Sequence, residues 1–189
     1  MPPKAKFTRE AMITAAVELV QADGPQALTA RALGARLGTS SSPIFSMFES
    51  MDEVQQEVLK AAGVKFQTFV QQAMTDSPHP PYKAIGMAYI RFAREETQLF
   101  KLLFMRDRTH EAVGDDREAL RPLLAMLQKN LGLTEDEAFR FHLAMWLFVH
   151  GMATMIATSY LEWDETFISQ VLTDSFEGLK KQFCKERKP

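Results

Sequence analysis

Apolar residues recur three and four apart along almost the whole chain, and Gly and Pro fall mostly between these periodic stretches. The pattern predicts an all-α protein of about nine helices with no strand. A first helix is expected from Arg9 to Ala22. Thr8 is placed to cap it, Ile13, Ala16, Val17 and Val20 share a face, and Asp23-Gly24-Pro25 stops it. Thr29 opens a short second helix, ARALGARL, with Ala32, Leu33 and Leu37 as its stripe and Gly38 as its end. Ser40 can cap a third over Ser41 to Phe48, with Pro43 in the first turn, where the missing N–H would have been unpaired anyway.

Ser50-Met51-Asp52-Glu53 reads as a capping box opening a long helix to about Met74. Its buried side is marked by Val54, Val58, Ala61, Ala62, Phe66 and Phe69, and DSPHPP at 76–81 breaks it. Tyr82 to Glu95 and Gln98 to Met105 read as two further helices, Asp107 to Asp116 as a polar loop, and Arg117 to Leu131 as a helix with Pro122 near its start. Thr134-Glu135-Asp136-Glu137 is a second capping box, opening a long apolar helix to about Glu162. Asp164 can cap a last helix ending near Phe183, and the charged tail from Cys184 should fray. From Leu143 to Leu161 no charged residue occurs for 19 positions, close to the length of a membrane span. His150, Gly151, Thr154, Thr158 and Ser159 interrupt that run and favour burial in a helical bundle or an oligomer interface.

Composition narrows the function classes. One cysteine among 189 residues excludes an intramolecular disulfide framework and a four-thiolate metal site, and suits a reducing, cytoplasmic home. The N-terminus reaches Glu10 without an apolar run, unlike a secretory signal. A net charge of -2 argues against a nucleic-acid partner only as a total. Residues 1–48 carry Lys4, Lys6, Arg9, Arg31 and Arg36 against Glu10, Glu18 and Asp23, a local +2, and the remainder carries -4. The positive end is the one with three short helices, where a helix ending at Gly38 and restarting after Thr39 has the form of a helix-turn-helix. Of the 14 Phe and 11 Met, 11 and 8 lie in residues 51–189, a soft apolar surplus suited to a core or an adaptable pocket.

From Phe7 to Val58, centred on ALTARALGARLGTSSSPIFSMFESMDEV, the chain resembles the DNA-binding domain of tetracycline-repressor (TetR) family transcriptional regulators. Thr29 opening the second helix, the hydroxyl-capped recognition helix, the pair Phe45 and Phe48, and the capped linking helix from Ser50 carry the likeness. Trp146-Leu147-Phe148-Val149-His150-Gly151 is similar to the Trp, His-Gly signature of one subgroup of the family's C-terminal domains. Phe45, Met47 and Met51 depart from the family, which commonly has tyrosine, histidine and lysine there. The recognition helix is left uncharged, implying readout by hydroxyls, backbone N–H groups and apolar contact with thymine methyls.

The resemblance implies a helix-turn-helix domain over 1–50 and a linking helix with a ligand-binding and dimerisation domain over 51–189. It implies a homodimer joined through Thr134 to Glu162 and Asp164 to Phe183, a palindromic double-stranded DNA operator, and a small hydrophobic effector. Lys4, Lys6 and Arg9, with Thr29, Thr39 and Ser50, are expected at phosphates. Ser40 opens the recognition helix, and Ser41, Ser42, Pro43, Phe45 and Ser46 are expected at base edges. Phe66, Phe69, Met87, Tyr89, Phe92, Phe100, Phe104, Trp146 and His150 are expected around the effector. Ile44 and Phe48, at i and i+4, read as core, and Arg31 and Arg36 equally as a solvated helix face or phosphate contacts.

His142 and His150 stand two turns apart, too far for ready chelation of one metal, and no Gly-rich phosphate loop, serine elbow or carboxylate pair occurs. No metal, cofactor, membrane or catalytic activity is expected. The chain reads as a prokaryotic, cytoplasmic regulator, associated with the nucleoid when bound to its operator. The alternative is a helical ligand-binding or scaffolding protein whose DNA head has degenerated.

Overall fold

The computed structural model describes residues 7–109 and 117–185. Lys4, Lys6, most of the loop expected over 107–116 and the tail from 186 lie outside the described residues, as does the Cys184 side chain. Among the described residues there are nine α-helices, one 3-10 turn and no strand. The chain divides into two compact units. One comprises residues 1–69 with 95–107, the other 70–94 with 108–189.

The first unit begins with α1, Arg9–Asp23, capped as expected by the Thr8 hydroxyl, which accepts from Ala11 N at 3.1 Å. Its buried face is Met12, Ala16, Leu19 and Val20, rotated from the expected stripe, with Ile13 and Val17 only partly covered. The rotation follows from a second neighbour: α6, Thr97–Phe104, and the 3-10 turn Pro25–Ala27 both pack on α1. Leu99 and Phe100 of α6 are fully buried, and Gln21 of α1 donates to the Glu96 carboxylate at 2.7 Å.

Thr29 caps α2, Ala30–Arg36, by accepting from Ala32 N at 3.2 Å. The turn then bends through Gly38 at φ 68°, a left-handed conformation costly for residues with a Cβ. The third helix is shorter than its sequence suggests. Only Ser42–Phe45 is helical (α3), Ser41 takes the cap position without a side-chain bond, and residues 46–48 turn instead of continuing. Ser46 shows why, since its hydroxyl donates to Pro43 O at 2.7 Å and draws the backbone into a local turn. Ile44 and Phe48 are buried, as their spacing predicts.

The linking helix α4 is Met51–Asp76. Its capping box is half formed. Glu53 N donates to the Ser50 hydroxyl at 3.2 Å, but the Glu53 carboxylate accepts from Glu49 N at 2.7 Å and from Arg9, far away in sequence.

The second unit holds α5 (Pro81–Glu95, up to Arg94), α7 (Arg117–Leu131), α8 (Glu135–Ala157) and α9 (Glu165–Lys185). Both α7 and α9 pack on α8. Thr134 forms a complete capping box, its hydroxyl accepting from Glu137 N and the Glu137 carboxylate accepting from Thr134 N at 2.7 Å. Asp164 caps α9 by accepting from Phe167 N at 2.7 Å. The fully buried Phe141 centres an aromatic cluster, with the Phe176 ring at 5.2 Å and the Phe183 ring at 5.6 Å. α8 stops at Ala157, short of the expected Glu162. The Thr158 hydroxyl donates back to Thr154 O at 2.8 Å, and Ser159 reverses the chain at φ 54°. No helix among the described residues is long and apolar enough to cross a membrane, and the uncharged run divides between α8, where it is part buried and part exposed, and the turn after it.

Candidate functional site

Each unit offers one candidate site. In the first, the tight α2-turn-α3 corner is set by Gly34, where an added Cβ would stand 3.0 Å from the backbone of Thr39 and Ser40. Thr39 N closes the corner by donating to Gly34 O at 2.9 Å. The corner leaves Thr29, Ser40, Ser42, Phe45 and Ser46 exposed, with Phe45 half accessible, and Thr39, Ser41, Pro43 and Ser50 partly covered. The Thr29 and Ser50 hydroxyls are both occupied in capping.

Arg9 is held inside this unit. Its guanidinium donates to Met47 O at 2.7 Å and to Glu53 Oε1 at 2.6 Å, and stands 4.2 Å from the Phe48 ring centre. It thereby fastens the segment after α3 to both α1 and α4. The hydrogen bond from Arg9 holds the Glu53 carboxyl below its ordinary pKa, assisted by the bond from Glu49 N. Arg36 pairs with Glu18 at 2.9 Å on the surface, and Arg31 is exposed.

In the second unit, α5, α8 and α9 enclose a cavity of about 390 Å³, within the range common for small-ligand sites. Ile85, Met145, Trp146, Val149, Leu172 and Phe176 give it apolar walls. Polar groups reach it from Tyr82, Lys83, Tyr89, His142, Thr173 and Glu177. Gly86 also lines it, with Val149 and Leu172 at ordinary contact distance from where a Cβ would stand.

Two tyrosine–histidine pairs tie α5 to α8 beside this cavity. Tyr82 Oη lies 3.1 Å from His142 Nδ1, and Tyr89 Oη lies 3.0 Å from His150 Nδ1. Burial pushes both phenols above their ordinary pKa and both imidazoles below theirs, so all four groups are neutral at pH 7. The indole of Trp146 stacks on His150, with ring centres 5.0 Å apart and planes 13° apart.

The nine residues expected around an effector divide between the units. Tyr89 and Trp146 line the cavity, and His150 stands behind Trp146. Met87 is partly covered on α5, and Phe92 is fully buried there. Phe66, Phe69, Phe100 and Phe104 belong to the first unit, where Phe104 lies 5.2 Å from Phe66 and 5.1 Å from Phe100. Sequence reasoning did not single out Tyr82, Lys83, Thr173 or Phe176, and treated His142 only as a metal ligand. A usable signal was present: Tyr82 and Tyr89 two turns apart on one expected helix, His142 and His150 two turns apart on another. Among the described residues no group of three His, Cys, Asp or Glu side chains is placed to hold a metal.

One unit of this all-helical chain holds a helix-turn-helix corner, and the other holds an apolar, sparsely polar cavity. Residues 82–177, just over half of the chain, match the family model described as the tetracyclin repressor-like C-terminal domain. The chain belongs to that family, whose members are TetR-like transcriptional regulators. Among solved structures it is similar to a TetR-like transcriptional regulator from Rhodococcus sp. RHA1. That likeness has a TM-score of 0.60 at 15% identity over 93% of this chain and 95% of the other, and it speaks to the fold. No curated protein matches the sequence.

Proposed function

We propose that the chain is a ligand-responsive transcriptional repressor that binds a palindromic operator as a homodimer, in the cytoplasm of a prokaryote. The observation that carries this reading is the helix-turn-helix corner closed at Gly34, which presents Ser40, Ser42, Phe45 and Ser46 to solvent in a chain of this family. Hydroxyls and an aromatic edge suit hydrogen bonds to phosphates and base edges and contact with thymine methyls. Lys4 and Lys6, before α1 in the sequence, add positive charge for phosphates, and the hydroxyls of Thr29, Thr39 and Ser50 offer O–H donors to them. Arg9 serves by holding the recognition segment in place.

An exposed apolar stripe supports the homodimer: Leu143, Leu147 and Met155 on α8, with Phe167 on α9. Two recognition helices about 34–36 Å apart would read adjacent major grooves. The cavity of the second unit is the effector site in this reading, and the Trp146 to Gly151 run supports membership of the Trp, His-Gly subgroup. Effector binding shifts the dimer away from the operator-bound form by a differential affinity, typically about 1–3 kcal/mol.

Footprinting at low salt on the DNA flanking its own gene tests the proposal. A protected palindrome is expected, and uniform, unprotected cleavage would refute the regulator reading. One observation favours the rival, a ligand-binding or scaffolding protein with a degenerate head: α3 is a single turn without a charged side chain. Replacing Lys4 and Lys6 by Ala separates the two. A regulator loses affinity for its operator and shows a shallower salt dependence, whereas a degenerate head shows neither.

A further inference from the structure

Two charged side chains, Lys83 and Glu177, are in the lining of the second unit's cavity. Among the described residues the Lys83 ammonium has one partner, the Thr173 hydroxyl of α9 at 2.8 Å. Among the described residues no carboxylate stands at ion-pair distance from Lys83. Glu177, the one acid lining the cavity, is already taken by Lys180, whose ammonium reaches Oε1 at 3.2 Å and Oε2 at 3.4 Å. The tyrosine–histidine pairs are neutral and satisfy each other. Of the two charged side chains in the lining, Glu177 has an ion-pair partner and Lys83 has none among the described residues.

We infer that this cavity takes a lipophilic organic carboxylate, its apolar body against Trp146, Val149 and Leu172 and its carboxylate on the Lys83 ammonium beside the Thr173 hydroxyl. The inference rests on the cavity being the effector site and adds the chemical class of the effector. A partly covered ammonium has already lost some of its hydration before any ligand arrives, so an anion gains an ion pair there, where a neutral amide of the same shape gains only a hydrogen bond to its carbonyl. The walls cannot supply this discrimination, because they meet the same apolar body in both cases.

The test uses two matched pairs at pH 7, naphthoate against naphthamide and octanoate against octanamide, titrated calorimetrically into the full-length protein. Quenching of Trp146 fluorescence in a Trp163→Phe background reports where they bind. At least one carboxylate is expected to bind about tenfold or more tightly than its amide, the scale of one charge-assisted bond. Lys83→Met should abolish that preference, weakening the carboxylate more than its amide. Lys83→Gln, which keeps a donor for Thr173 but no charge, should do the same and serves if the methionine variant misfolds. Amides binding as tightly as carboxylates, with Trp146 quenched, overturn the carboxylate inference and leave the effector site standing. Failure of all four probes to bind overturns both.

Discussion

The hydrogen that Gly34 carries in place of a methyl group decides whether the α2-turn-α3 corner closes. A methyl there would press on the Thr39 and Ser40 backbone at 3.0 Å, and backbone yields less readily than a side-chain tip. Gly34→Ala is expected to destabilise the protein by about 1–3 kcal/mol in urea unfolding, despite alanine's better helix propensity. An unchanged or raised midpoint would show that the corner has slack. The histidines make a second residue-scale prediction. Burial lowers both imidazole pKa values in the folded chain, so the unfolded chain binds protons first as pH falls below about 6.5. Their stabilising contribution is complete above that pH and is lost from there down through the depressed folded values. Melting temperature should fall between about pH 7 and about pH 5, and less steeply in a His142→Asn, His150→Asn variant. Gly34 looks like a poor helix former until the returning backbone is placed over it, and the histidine partners, sixty positions away, leave as their trace only the matched two-turn spacing of Tyr82 with Tyr89 and of His142 with His150.

Helix beginnings were far more legible than helix ends. Thr8, Thr29, Thr134 and Asp164 cap where the sequence places them, because a cap is decided by a side chain and the backbone N–H two or three residues on. Thr134→Ala, which removes one arm of a complete box, should cost about 1 kcal/mol in urea unfolding, and Thr134→Ser should recover most of it. Equal stability of all three proteins would mean that α8 is held by packing alone. Ends depend on subtler competition. α3 gives way where Ser46 turns back on Pro43, and α8 where Thr158 and the left-handed Ser159 intervene. No glycine or proline marks either place, so the apolar period runs on past the true stop. At Ser50 the expected box is half formed because Arg9, 44 positions away, shares its glutamate.

At the scale of the whole chain, the all-helical class followed from periodicity. The division of the Phe and Met residues between the two units was not legible. Phe66, Phe100 and Phe104 form a cluster in the first unit, while Trp146 and Tyr89 line a cavity in the second, because helix faces find their partners only in tertiary packing. The proposed dimer makes a prediction at this scale. Leu147 is the most exposed residue of the α8 stripe, so Leu147→Glu should yield monomers in analytical ultracentrifugation and weaken operator binding, with helicity unchanged. A dimer of undiminished strength would remove α8 from the interface. The return of α6 to the first unit has a consequence for how the protein can be taken apart. α6, which packs on α1 alongside α2 and the 3-10 turn, is encoded after α5, inside the stretch that matches the C-terminal domain family. A gene truncated before residue 95 omits α6 and uncovers part of α1, so the fragment should be less stable and prone to aggregate. A chimera that borrows this reading head must carry its α6 along with it, since the graft has two seams.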